Sequence, residues 1–445
     1  MTSITDSRTA AARGRQTPRS FAPPVKDMWR LRWSAFCLSA FLLFEMIDMN
    51  GLMGGVGDPH AGDGSSVNQI IVIAVVGMMA LCCWRPSRME ANIAIPWPLL
   101  GLFAYCLFTL AWSDVPLIGF RRLVLAVMSM WLLFRCVNEL GYGRTLFYIR
   151  AVMIALLAAN YLAVMFSPHG IHGYVFGDAS TEAGSWRGAM IHKNIAGPAC
   201  ALTVMFFAFD RRTMPVMLRN AVLGAVVIFL WFTQSKSSMS SLAIALLCGY
   251  GVRFLRISKG SQTLIYVGLA LALMLAIGGV FYSDALEQLD DPNAFTGRMQ
   301  IWLALILYTK QHLWTGAGFA SFWQVGAASP ILHLTNGWVA EEAPAGHNGY
   351  LDLLVTIGLP GAILGVVVLL LAPAQRLMLA EGMPAQSRSL LFSVIVFCIC
   401  NNFAESELIG GMLIDQMFLS IVLALIPLAM HMGARRLPAP RPQTP

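Results

Sequence analysis

The chain has 445 residues, 57% of them hydrophobic and only 12% charged, with a formal net charge of +7. Soluble proteins carry about 25% charged residues, so the composition excludes a soluble enzyme. The Lys and Arg residues are scattered between apolar runs and form no basic domain, which argues against nucleic acid as a partner.

Apolar runs of about 20 residues recur along the whole sequence, each long enough to cross a bilayer as a helix. A transmembrane β-barrel would instead alternate apolar and polar residues in short strands. The fold class expected is an all-α polytopic membrane protein. Residues 1–32 form a polar tail with Arg8, Arg13, Arg15, Arg19, Lys26, Arg30 and Arg32. The first apolar run, Trp33–Gly54, lacks a small-residue cleavage site after it and reads as a retained span, not a signal peptide. Further spans are expected at 68–84, 95–112, 120–137, 146–167, 194–209, 217–233, 238–255, 262–282, 349–373, 389–404 and 409–431, about twelve in all. The membrane domain then covers 33–431, and 432–445 is a tail.

Loops facing the cytoplasm carry excess Lys and Arg. With the N-terminus inside, those loops hold Arg85 and Arg88; Arg135 and Arg144; Arg211, Arg212 and Arg219; Arg253, Arg256 and Lys259; Arg376 and Arg388. The C-terminal tail adds Arg435, Arg436 and Arg441, whereas the first outer connection has Asp58 and Asp63 and no cation. Both termini are therefore expected in the cytoplasm. The loops 168–193 and 283–348 face outward, the second a long loop with short helices. Loops of that length are more often functional than mere connectors. All nine cysteines sit in or beside apolar runs, and the two long loops have none. They read as small packing residues, with neither a disulfide framework nor metal-site spacing.

The informative residues are cations on the outer side, where the topology does not favour them: Arg121, Arg122, Arg187, Lys193, Lys236 and Arg298, joined by His192 and His347. Ionisable groups at membrane depth are costly and face partners or a cavity. Several cations on one face suit a phosphate or diphosphate, and Arg offers a planar fork for two oxygens. Each residue has a plainer reading too. Arg121-Arg122, after Trp112-Ser113-Asp114, can snorkel to head groups. Arg187 and His192-Lys193 can be loop charges, with Asn194 capping the next span. Lys236 can be a charged turn tip, and Arg298 an exposed charge on a helix capped by Thr296 and running to about Lys310. In that helix Arg298 and Trp302 lie one turn apart on one face. His347 opens a span beside Asn348, with Asp352 on the same helical face; it is a structural end-of-helix histidine or a general base. Glu405 and Glu407, in the last outer hairpin, can hold cations or supply an alternative base. There is no P-loop, no Gly-x-Ser-x-Gly and no His-Glu-x-x-His, and Asp290-Asp291 stands alone. Arginines, not a metal, are then expected to neutralise a leaving phosphate.

Over residues 95–425 the motifs resemble the bacterial O-antigen ligase and O-antigen/exopolysaccharide polymerase family. The resemblance is carried by Trp112-Ser113-Asp114 through Arg121-Arg122, Arg187-Gly188 with His192-Lys193-Asn194, Gln234-Ser235-Lys236-Ser237, Thr296-Gly297-Arg298 with Trp302 and Gly316-Ala317-Gly318, His347-Asn348-Gly349-Tyr350 followed by Gly358-Leu359-Pro360-Gly361, and Asn401-Asn402 with Glu405-Ser406. It implies a metal-independent, inverting glycosyltransferase of the bacterial inner membrane, without cofactor. Such an enzyme takes a glycan from an undecaprenyl-diphosphate-linked donor and passes it to an acceptor hydroxyl on the periplasmic side. His347 would take the acceptor proton. Arg298 and Arg187, with Arg121, Arg122, Lys236 and Lys193, would bind the diphosphate, supported by His192, Asn348 and Glu405. The acceptor implied is the next lipid-linked repeat unit, for a polymerase, or lipid A-core, for a ligase; the Trp-Ser-Asp…Arg-Arg and Gly-Arg…Trp runs look more like the polymerase branch. Membrane lipids and other envelope polysaccharide-assembly proteins are the further partners implied. Two readings from other classes stand beside it. One is a transporter or flippase for an anionic or lipid-linked solute, against which the lack of an internal repeat counts. The other is a non-catalytic scaffold for envelope assembly.

Overall fold

The computed structural model describes residues 25–52, 66–86, 92–173, 183–210, 214–254, 298–335, 337–341, 343–380, 382–409 and 413–434. The span expected at 262–282, the Thr296 cap and the Asp290-Asp291 pair lie outside them. Among the described residues there is no strand, and an isolated antiparallel bridge joins Ile171 to Trp186. The principal helices are α1 (Val25–Met46), α2 (Ser66–Cys83), α3 (Trp97–Thr109), α4 (Pro116–Phe166), α5 (Lys193–Ala208), α6 (Val216–Thr233), α7 (Lys236–Gly251), α8 (Arg298–His312), α9 (Gly349–Val366), α10 (Ala385–Asn401) and α11 (Ile414–Ala434). A π-helical stretch, Val367–Leu371, carries α9 on into Ala372–Met378.

Among the described residues, four helical stretches are long and apolar enough to cross a membrane: Pro116–Phe166, Val216–Thr233, Gly349–Met378 and Ile414–Met432. Shorter apolar helices occupy Gln69–Cys83, Trp97–Trp112, Lys193–Ala208 and Ala385–Asn401. The first helix starts earlier than hydropathy suggested, at Val25. Its opening turns carry Lys26, Asp27, Arg30 and Arg32, polar residues that are good or tolerable helix formers but lower the apolar signal. Large side chains such as Leu81, Leu117, Met217 and Phe254 are mostly exposed, as on helices that are apolar all round and meet acyl chains outside the bundle.

A straight helix of the length of α4, 51 residues, would be about 75 Å long, more than twice the hydrocarbon thickness of about 30 Å. It is broken at Gly141, whose φ of 72° and ψ of 169° are non-helical. The two halves match the expected spans 120–137 and 146–167. Contacts show that they run between the same two ends of the bundle. Near the break, Tyr142 donates to Asp210 at 3.1 Å and Arg150 donates to the carbonyls of Phe206, Phe209 and Asp210. Ser387, at the start of α10, bonds the same Asp210 carboxylate. Arg253, just past α7, reaches Ser389 at 2.7 Å, and Glu139 pairs with Arg85 and Arg135. Arg85, Arg135 and Arg253, three of the cations expected on cytoplasmic loops, thus lie at this end.

The opposite end carries the starts of α4, α5, α7 and α9 and the ends of α10 and the second half of α4. Here the segment after α8 folds back on α9. Helix α9 is broken at Gly358, with φ 67° and ψ 178°, and the broken bond is replaced across the gap. Leu359 N–H, which a continuous helix would direct to Val355, donates instead to Leu313 O at 2.7 Å. Val355 O accepts from Ala317 N–H at 2.8 Å. Gly316, itself at φ 63°, lies so close that a Cβ there would stand 2.6 Å from Thr356 O. A small apolar core of Ile301, Leu305, Tyr308, Phe322, Ile331, Val339 and Val355 then fixes α8 and its following segment on α9.

Candidate functional site

The turn between Gly346 and Gly349 carries His347 at this end of the bundle. His347 has a φ of 47°, an uncommon left-handed conformation for a residue with a side chain. Neighbours hold the backbone on both sides. Gly346 N–H donates to Asp352 Oδ2 at 3.1 Å, and Gly346 O accepts from the Trp302 indole at 2.9 Å. Asn348 N–H donates to Ser406 Oγ at 3.0 Å, and Gly349 N–H to the carbonyls of Asn402 and Glu405, each at 2.9 Å. The Asn348 side chain caps α9, accepting from Tyr350 N–H and Leu351 N–H. Strained backbone of this kind persists where its surroundings over-determine it, commonly at functional sites.

The Glu405 carboxylate joins the two residues of greatest interest. Its Oε1 lies 2.9 Å from Arg298 Nη2 and its Oε2 lies 3.3 Å from His347 Nδ1. Arg298 Nη1 also donates to Ala404 O. The Glu405 and Arg298 side chains are 8% and 18% exposed, so the pair is largely shielded, while His347 keeps 28%. A carboxylate only accepts, so it favours the tautomer with the proton on Nδ1 and leaves Nε2 as the basic nitrogen. The expectation that Arg298 and Trp302 share a face holds: Arg298 meets 404–405 and Trp302 meets Gly346.

A second group surrounds Arg187. Its Nε donates to His169 O at 2.5 Å and its Nη1 to Ile191 O at 3.3 Å. His169 Nε2 faces Met190 O at 3.0 Å and Asp48 at 3.5 Å. Burial and then the Arg187 charge hold His169 below the ordinary imidazole range, so it is neutral near pH 7. Asn160 accepts from Ala189 N–H, and no Cβ fits at Gly188, where one would lie 2.7 Å from the Asn160 amide oxygen. The cap of α5 is His192, not Asn194: His192 Nδ1 accepts from Asn194 N–H at 3.2 Å. The histidine two residues earlier has the extended backbone that a cap needs.

Lys193 and Lys236 are the first residues of α5 and α7. The two helix starts pack together, Gly197 lying where a Cβ would meet Ser235 and Ser238 side chains. Trp186 stacks on Phe232 at 4.4 Å and so ties the Arg187 segment to the same place. A lysine at a helix N-terminus opposes the macrodipole. Two on adjacent helices add positive potential where backbone N–H groups already favour an anion.

Arg121 and Arg122 open α4. Arg121 is exposed. Arg122 donates to the carbonyls of Ala320, Trp323 and Gln324 at 2.7, 2.9 and 2.8 Å. It thereby holds the segment from which Trp323 reaches Asp352 Oδ1 at 2.8 Å. The structure thus brings Arg298, His347, Asn348 and Glu405 together, and Arg187, His192, Lys193 and Lys236 into a second group at the same end. Sequence reasoning passed over His169, Asn160 and Trp323, and gave Asp352 no role beyond sharing a helical face with Asn348. The spacing of Asp352, four residues after Asn348, was the available signal. Among the described residues no three His, Cys, Asp or Glu side chains converge as metal ligands would.

Residues 199–366 match the family model described as O-antigen ligase. The match takes in Lys236, Arg298 and His347 and bears out the resemblance read from the motifs. No curated protein matches the chain.

Proposed function

Starting from the O-antigen ligase domain that residues 199–366 carry, we propose that this membrane protein is an inverting glycosyltransferase that uses no metal. Its donor is an undecaprenyl-diphosphate-linked glycan, its acceptor a sugar hydroxyl, and its working end faces the periplasm. The end bearing Arg85, Arg135, Arg150, Arg253 and Arg388 then faces the cytoplasm, in keeping with the positive-inside rule. The observation that carries the reading is the Arg298–Glu405–His347 cluster on a turn whose backbone is pinned in a left-handed conformation.

In this mechanism His347 Nε2 takes the proton from the acceptor hydroxyl as its oxygen bonds to the anomeric carbon. The bond from that carbon to the phosphate oxygen breaks on the opposite face, and the diphosphate leaves with the electron pair. Glu405 stabilises the imidazolium that forms, as the carboxylate of a Ser-His-Asp triad does. Arg298, Arg187, Lys193 and Lys236 meet charge that grows on the leaving diphosphate, so they favour the transition state over the bound donor. Arg122, with Arg121 beside it, serves by fixing the segment behind the site.

The acceptor proposed is the next lipid-linked repeat unit, which makes the protein a polymerase of exopolysaccharide or O-antigen. A second reading, transfer of a finished chain to lipid A-core, is favoured by the description of the matched family model. The test deletes the gene, restores it as wild type or His347→Ala, and separates lipid-linked and surface glycans by size. Single repeat units in place of long chains identify a polymerase; long chains stranded on the lipid carrier identify a ligase. A wild-type profile from His347→Ala at normal protein level sinks the base assignment.

A further inference from the structure

Asp352 lies beneath the His347 turn and is not needed for any step above. Its carboxylate accepts the Trp323 indole N–H at 2.8 Å on one oxygen and the Gly346 N–H at 3.1 Å on the other, and the Ser406 hydroxyl bonds it as well. Ser406 Oγ in turn accepts Asn348 N–H. The N–H of Gly346, before His347, and the N–H of Asn348, after it, are therefore tied, directly or through Ser406, to one carboxylate. There is no slack: a Cβ on Gly346 would stand 2.5 Å from Asp352 Oδ1. Of the other groups nearby, Glu405 faces the His347 ring, Arg298 bonds Glu405, and Trp302 donates to the Gly346 carbonyl.

We propose that Asp352, oriented by Trp323, is the positioning residue of this site, holding the Gly346–His347 turn so that the ring offers Nε2 to the acceptor hydroxyl. This rests on the transferase reading above. Asparagine at 352 keeps the shape but accepts on one oxygen only, so its NH₂ faces either the Gly346 N–H or the Trp323 N–H.

Transfer is measured with the purified full-length protein, a lipid-linked oligosaccharide donor and its acceptor, for Asp352→Asn, Trp323→Phe, His347→Ala and the Asp352→Asn/His347→Ala pair. A misplacement of about 1 Å costs on the order of 100-fold, so Asp352→Asn is expected to lower kcat by about that factor, with donor KM changed less than about threefold. Trp323→Phe removes one of the donors that aim the carboxylate and is expected to cost about tenfold. Because Asp352 acts through His347, the double variant should be no slower than His347→Ala alone. The proposal is overturned by a normal kcat in Asp352→Asn, by a loss confined to KM, or by a further full-factor loss in the double variant. Where Asp352→Asn does not accumulate, Trp323→Phe decides: a normal kcat overturns the proposal. If His347→Ala is itself fully active, the transferase reading fails; if only the Asp352 and Trp323 variants are normal, the positioning role alone fails.

Discussion

Glutamine at position 405 is the most discriminating single change. Glu405 sits between Arg298 at 2.9 Å and His347 at 3.3 Å, one oxygen to each. In Glu405→Gln the amide oxygen keeps Arg298, because an NH₂ facing the guanidinium would set donor against donor. The NH₂ then faces His347 Nδ1 and requires it to accept, which moves the ring proton to Nε2, where the acceptor hydroxyl must deliver its own. A tautomer reversed in this way costs about 10⁴-fold in a Ser-His-Asp triad. The His347 bond is longer and the ring partly exposed, so about 10³-fold in kcat is expected here, or roughly 4 kcal/mol of barrier. Stability should fall far less, by about 1 kcal/mol, since Arg298 keeps a hydrogen bond but to a neutral amide in place of a carboxylate. The assay is transfer from a lipid-linked donor by purified protein, beside thermal unfolding in the same detergent. A rate within about threefold of wild type, in a protein that folds normally, refutes the shared-carboxylate reasoning.

Other substitutions probe separate parts. Arg298→Lys replaces a fork that serves Ala404 O and Glu405 together with a single ammonium, and transfer should fall about 100-fold with normal protein level in membranes. Gly358→Ala places a Cβ on a residue at φ 67° and against the Trp314 carbonyl; a loss of about 2–3 kcal/mol, read as a lower unfolding temperature, is expected. Burial and then the Asp415 charge push the Glu407 carboxyl well above the usual carboxylate range. Its folded value is raised, so its contribution to stability is complete below about pH 4 and is lost as pH rises through the raised value. Glu407→Gln stays neutral and still accepts Asp415 N–H, so it should unfold later than wild type at pH 8, with the difference vanishing toward pH 4; a difference independent of pH would contradict this.

The helices were legible because a membrane crossing needs a long apolar run, and the Arg135–Arg144 stretch marked the break in α4 before Gly141 was seen to make it. The break in α9 was hidden: Gly358-Leu359-Pro360-Gly361 sits inside an apolar run, and hydropathy does not record a missing backbone bond. That Arg298 and His347 deserved scrutiny followed from charge at a membrane edge, which requires a partner. That Glu405 can hold a cation was legible too; that it joins Arg298 to His347 was not, because 58 residues separate Glu405 from His347 and no local pattern links them. Arg122 shows the limit from the other side. An arginine beside a membrane can serve anions or carbonyls equally well, and three carbonyls hold it here.

The exchange of hydrogen bonds at Gly358 bears on how the protein is made. Helix α9 cannot close its own ladder: Leu359 N–H and Val355 O are answered by Leu313 and Ala317, which the ribosome delivers earlier. In hydrocarbon an unanswered backbone group costs several kcal/mol. Docking of the 313–317 segment on α9 is therefore expected to accompany insertion of α9, and an epitope or reporter placed there should lower the yield of folded protein. The stretch around Gly326–Ser329 makes no such exchange, and is the better place for a label that follows the protein into the membrane.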